Sequence, residues 1–61
     1  MNKKLFVKIE RDGRLLYKGE VISCHQYGDV FYVEFTDERR GYVYVKQDID
    51  KMMDCTFTFY N

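Results

Sequence analysis

Sixty-one residues allow one domain at most, and a chain this short hides only about 60% of the surface its unfolded form exposes. With 46% hydrophobic, 18% aromatic and 33% charged residues, the composition is that of a folded domain and excludes intrinsic disorder. Ten Lys and Arg balance ten Asp and Glu, which argues against a protein that coats nucleic acid nonspecifically, since such binding rests on many cationic contacts to phosphate.

The balance is uneven along the chain. Residues 1–18 hold six basic residues against Glu10 and Asp12, whereas residues 19–61 hold four against eight acids. Charges at alternate strand positions would keep outer faces soluble and account for much of this. The opening Met1-Asn2-Lys3-Lys4 lacks the apolar segment of a secretory leader, and no apolar run approaches the ~18 residues of a membrane span. The expectation is a cytoplasmic protein without membrane contact, in which Cys24 and Cys55 are reduced.

Period-2 alternation dominates from the start. Leu5, Val7 and Ile9 alternate with Phe6, Lys8 and Glu10, and Asp12-Gly13 is a hairpin signal that leads into a second strand over Arg14–Cys24. A two-residue turn there sets Ile9 opposite Leu16. Continued unbroken, that register would turn Lys18 and Glu20 toward the core, so a bulge or bend is expected near Lys18-Gly19. Tyr27-Gly28-Asp29 marks the next turn.

Phe31, Val33 and Phe35 then alternate with Tyr32, Glu34 and Thr36; beyond the turn at Asp37–Gly41, Val43 and Val45 alternate with Tyr42, Tyr44 and Lys46. Pairing Thr36 with Tyr42 puts Phe35 opposite Val43 and Val33 opposite Val45 on one face, and burial enforces this register because a one-residue slip would set Val33 against Tyr44. One short helical turn is expected near residues 47–53. Cys55, Phe57 and Phe59 alternate with Thr56, Thr58 and Tyr60 in a last strand. The whole chain, residues 1–61, reads as a single all-β domain: a small five-stranded antiparallel barrel, its core drawn from Leu5, Val7, Ile9, Val21, Phe31, Val33, Phe35, Val43, Val45, Phe57 and Phe59.

The stretches Leu16–Ser23, Gly28–Asp37, Tyr42–Val45 and Asp48-Ile49 together resemble a Tudor domain of the SH3-like barrel superfold, over roughly residues 15–50. The matching features are an aromatic ahead of a small residue and a buried aliphatic, a Val-rich strand ending in an aromatic and an Asp, and a further strand running into a short helical turn. Tudor domains hold methylated lysine or arginine in an aromatic cage. Carried over by position, Tyr17 and Phe35 fall on cage-bearing sites. Glu38 stands where the family often has a second-loop aromatic, and Arg40 where it often has Asn, so the cage is incomplete and a cation is repelled.

Constellations for chemistry are sparse. Cys24-His25 would activate a thiol only if the two side chains met, and strand neighbours point to opposite faces; a small buried Cys and a loop His are the expectation. Cys24, His25 and Cys55 lack the spacing of a zinc site, and Asp48, Asp50 and Asp54 lack the glycine and terminal Glu of a calcium loop. No phosphate loop, carboxylate pair or Ser-His-Asp set can be assembled, so neither an enzyme nor a cofactor is expected.

The outward tyrosines remain. Large amphipathic rings on a small surface suit an interface. The expectation is a non-catalytic intracellular protein-binding module or regulator, of the compact free-standing size seen among phage and virus proteins. It would dock a protein partner through Tyr17, Tyr32, Glu34, Glu38, Arg39, Arg40, Tyr42 and Tyr44. The alternative is a nucleic-acid-binding barrel in which Lys3, Lys4, Lys8, Arg11 and Arg14 meet phosphates while Phe6, Tyr32 or Tyr44 stacks on bases. The uncharged Thr56–Tyr60 stretch would pair at the barrel edge or with a second copy in a homodimer.

Overall fold

The computed structural model describes residues 4–50 and 55–61. Five strands follow in chain order: β1 (Phe6–Arg11), β2 (Arg14–Tyr27), β3 (Val30–Asp37), β4 (Gly41–Asp48) and β5 (Thr56–Tyr60). They form one antiparallel sheet in the order β4-β3-β2-β1-β5. The sheet is not closed, because β4 and β5 are its two edges and do not pair with each other.

The turns follow their residues. Asp12 and Gly13 both take positive φ, 53° and 77°, as a tight two-residue hairpin requires. Across the β3–β4 turn, Phe35 faces Val43, Val33 faces Val45 and Thr36 faces Tyr42, the register that burial demands.

The curl comes from β2, which at 14 residues is too long for one partner. Its first half pairs with β1 up to Glu20 and its second half pairs with β3 from Gly19 onward. Gly19 lies where both neighbours converge: a Cβ there would sit 1.8 Å from the Thr36 carbonyl oxygen. This is the reason for a glycine, and the expected bulge at Lys18-Gly19 is displaced. Ile9 pairs with Tyr17 instead of Leu16, and Leu16 is the extra residue of a bulge near the hairpin. A second irregularity leaves Ile22 as the extra residue between Val21, which faces Phe35, and Ser23, which faces Glu34. Two bulges on one strand increase its twist and bend it.

The bend folds the sheet over a small core. Val7, Ile9, Val33 and Phe35 are buried, with Tyr17, Val21, Phe31, Val43, Val45, Cys55 and Phe57 packed around them. Each such side chain contributes about 2 kcal/mol. Phe31 of β3 meets Phe57 and Phe59 of β5 edge-on, at 5.5 and 6.2 Å between ring centroids, so residues three strands apart in the sheet touch across its concave side. Leu5 and Phe59 are more exposed than expected, at 40% and 37%, because both lie at the open mouth of the curl near the strand ends. Of the expected helical turn, Gln47 and Asp48 belong to β4, Ile49 and Asp50 form a short 3₁₀ segment, and residues 51–53 lie outside the described residues.

Candidate functional site

Alternation along β3 and β4 sends Val33, Phe35, Val43 and Val45 inward and leaves Tyr32, Glu34, Tyr42 and Tyr44 on the convex side. The Ile22 bulge then changes the phase of β2. Without it, Cys24 would oppose Tyr32; with it, His25 opposes Tyr32 and Ser23 opposes Glu34. One extra residue thus brings Ser23, His25 and Tyr27 to the tyrosine face. These three were missed in the sequence, although the adjacent aliphatics Val21-Ile22 break the alternation there and are the signal of a bulge.

The rings form a continuous cluster. His25 and Tyr32 stack at 5.2 Å with their planes 19° apart, and Tyr27 stands perpendicular to both, at 5.0 Å from His25 and 5.9 Å from Tyr32. Tyr44 continues the row at 6.2 Å from Tyr32. Tyr27, Tyr42 and Tyr44 remain 69%, 62% and 52% exposed. Beside the rings, the Glu34 carboxylate accepts hydrogen bonds from the Ser23 hydroxyl and, at 2.6 Å, from the Tyr42 phenol. The two donors hold Glu34 below the usual carboxylate range, and the charged acceptor pushes the Tyr42 phenol up. A fixed anion therefore sits in an apolar patch whose rings hold one another in place.

The other four candidate residues, three of them from the Asp37–Arg40 loop, lie apart from this face. Tyr17, Glu38, Arg39 and Arg40 line a separate cleft of about 260 Å³ at the β3–β4 turn, together with Asp37 and Leu15–Lys18. Asp37 organises it. Its buried carboxylate accepts from the backbone N–H groups of Lys18 (2.9 Å), Arg39 (2.9 Å) and Arg40 (3.0 Å), with the Arg40 guanidinium 3.5 Å away. The N–H of Lys18, followed by those of Arg39 and Arg40, holds Asp37 below the usual range. Arg40 also donates to the Leu16 carbonyl and lies 4.9 Å over the Tyr17 ring, which packs edge-on against Phe35. Of the two rings carried over to a methyl-residue cage, Phe35 is fully buried and Tyr17 is covered by the chain's own cation.

The residues expected to meet nucleic acid spread along β1. Lys3 lies outside the described residues; Lys4 is 4.0 Å from Glu20, and Phe6 stacks on Tyr60 at 5.6 Å. Lys8 faces Lys18 across the β1–β2 pair, and Arg11 faces Arg14 at the hairpin tip. Cys24 is exposed, contrary to a buried core thiol, although it pairs with the buried Val33; partial desolvation pushes its thiol up, away from nucleophilic character. Cys24 and His25 pair with successive residues of β3, Val33 and Tyr32, and so point to opposite faces. Among the described residues no group of three or more His, Cys, Asp or Glu could hold a metal, and no helix is long and apolar enough to cross a membrane.

Compared with protein-family models, curated proteins and solved structures, the chain has no significant match in any of the three.

Proposed function

We propose that the chain is a non-catalytic protein-binding module whose contact surface is the convex face of β2, β3 and β4. The observation that carries this reading is the ring cluster of His25, Tyr27, Tyr32 and Tyr44 with Glu34 and Tyr42 at its side. Interfaces gain most from preorganised aromatic anchors around a few oriented polar groups, and these rings already pack on one another in the unpartnered chain. The strand order β5-β1-β2-β3-β4 and the curl about Phe35 support an SH3-like barrel as the scaffold, with the Tudor resemblance extending to the framework and not to the cage, where Arg40 occupies the Tyr17 face. Two free cysteines support a reducing, cytoplasmic setting.

The test is capture from an extract of the organism that makes the protein, using wild type and a Tyr32→Ala/Tyr44→Ala variant whose fold is checked by circular dichroism. A partner held by wild type and weakened about tenfold or more by the variant supports the reading, since two aromatic anchors contribute at least that much. Equal recovery by both overturns it.

A second reading is favoured by one feature of the opposite half of the sheet. Lys8 and Lys18 stand directly across from each other, and among the described residues neither has an acidic partner; the stacked Phe6 and Tyr60 lie beside them. Like charges so placed are destabilising unless an anion joins them. Fluorescence anisotropy with a single-stranded oligonucleotide separates the readings: binding at low salt that falls steeply as salt rises supports nucleic acid, and its absence removes that reading.

A further inference from the structure

The molecule has two open edges, and they differ in chemistry. β5 pairs with β1 along one side over five residues, Phe6 with Tyr60 through to Glu10 with Thr56, and no described strand covers its other side. Among the described residues, none of the backbone hydrogen bonds outside the strand ladders involves residues 55–61. The backbone groups of β5 that face away from β1 therefore look to solvent or to another strand.

Natural edges are usually blunted by a Lys, a Pro, a bulge or an inward-pointing charge. β5 has none of these: Thr56–Tyr60 is β-branched and aromatic throughout, in regular register with β1. β4 is the contrast, carrying exposed Lys46 and Asp48 with the bulky exposed Tyr42 and Tyr44. On the bare edge strand itself, Phe59 leaves 37% of its surface exposed. Among the described residues only Val7, Ile9, Val33 and Phe35 form the fully buried apolar core, and domains of this size commonly recruit an oligomer to add stability.

We infer that β5 is a self-association edge, at which two copies of the chain pair antiparallel and join their sheets into one of ten strands. The occupant is a second copy because the open ladder accepts only an extended strand and a central, uncharged β5 is complementary to itself. Thr58 is the middle residue of β5 and sits near the two-fold axis, facing its counterpart, while the exposed Phe59 side chains approach from either side. The contact is isologous and closes at two, whereas β5 against the charged β4 edge of another copy would be head-to-tail and open-ended. The tyrosine face lies on β2, β3 and β4, so this inference stands or falls separately from the protein-binding reading.

Sedimentation velocity over a concentration series tests it with the full chain. The expected result is a species of twice the 7.4 kDa chain mass that does not grow further. Thr58 faces Lys8 within its own chain, so Thr58→Glu is tolerated there but sets like charges opposite each other across the two-fold axis; it should weaken the dimer about fivefold or more, while Thr58→Val should leave it intact. Both changes are at an exposed position, and circular dichroism confirms that each variant folds. A monomer at millimolar concentration, continued growth beyond the dimer, or equal dimerisation of Thr58→Glu and wild type each overturns the inference.

Discussion

Asp37 shows how one carboxylate can fix a turn. With a side chain only 3% exposed, it ties Lys18 of β2 to the Arg39-Arg40 turn, and the three N–H groups it accepts would otherwise be left without partners. Asp37→Asn exchanges one acceptor oxygen for an amide that confronts N–H donors, and should cost about 3 kcal/mol in urea unfolding. The pH dependence has a definite sign. Because the folded state lowers the Asp37 pKa, its stabilisation is complete above the unfolded value of about 3.9 and is lost as pH falls through the folded one. Wild type should therefore lose stability on acidification below about pH 4, and the Asn variant, weaker at neutral pH, should show a flatter acid limb in the same titration. Glu34 offers a second measurable link. The hydrogen bond that Tyr42 donates to it, and to a lesser extent its charge, raise the Tyr42 phenol, so Glu34→Gln should let Tyr42 ionise at lower pH, read as phenolate absorbance; an unchanged Tyr42 titration would separate the two groups in solution.

At the scale of elements, β2 decides the geometry. Leu15-Leu16-Tyr17 and Val21-Ile22 are the two places where its alternation fails, and they are the sites of its two irregularities. Glycine's tolerance of bulges points to a bend at Lys18-Gly19, but Gly19 serves close approach instead, with the Thr36 carbonyl where a side chain would be. Gly19→Ala must push β3 off β2 where β1 also pairs, and should cost more than about 3 kcal/mol, measured as a fall in thermal midpoint or a failure to fold. Alanine at Gly19 with unaltered stability would mean that the strands do not converge there. The β3–β4 hairpin needed no such correction, since its turn and both inner rows of aliphatics specify the same pairing.

For the whole molecule, local rules were enough wherever they agreed with one another. Hairpin order, the Asp12-Gly13 turn, the β3–β4 register and the inward rows from Val7 to Val45 follow from side-chain period and turn chemistry, which act over a few neighbouring residues. The candidate surface was legible in part: Tyr32, Glu34, Tyr42 and Tyr44 share a face because alternation on β3 and β4 is unbroken, while the cleft in which the Asp37–Arg40 loop meets Tyr17 depends on packing between distant strands. His25 and Tyr27 join the tyrosines only because Ile22 drops out of the ladder. Phasing of that kind belongs to three strands at once, since β2 must satisfy β1 along one half and β3 along the other while the core closes over Phe35. No window of a few residues contains that requirement; it exists only when distant strands are packed together.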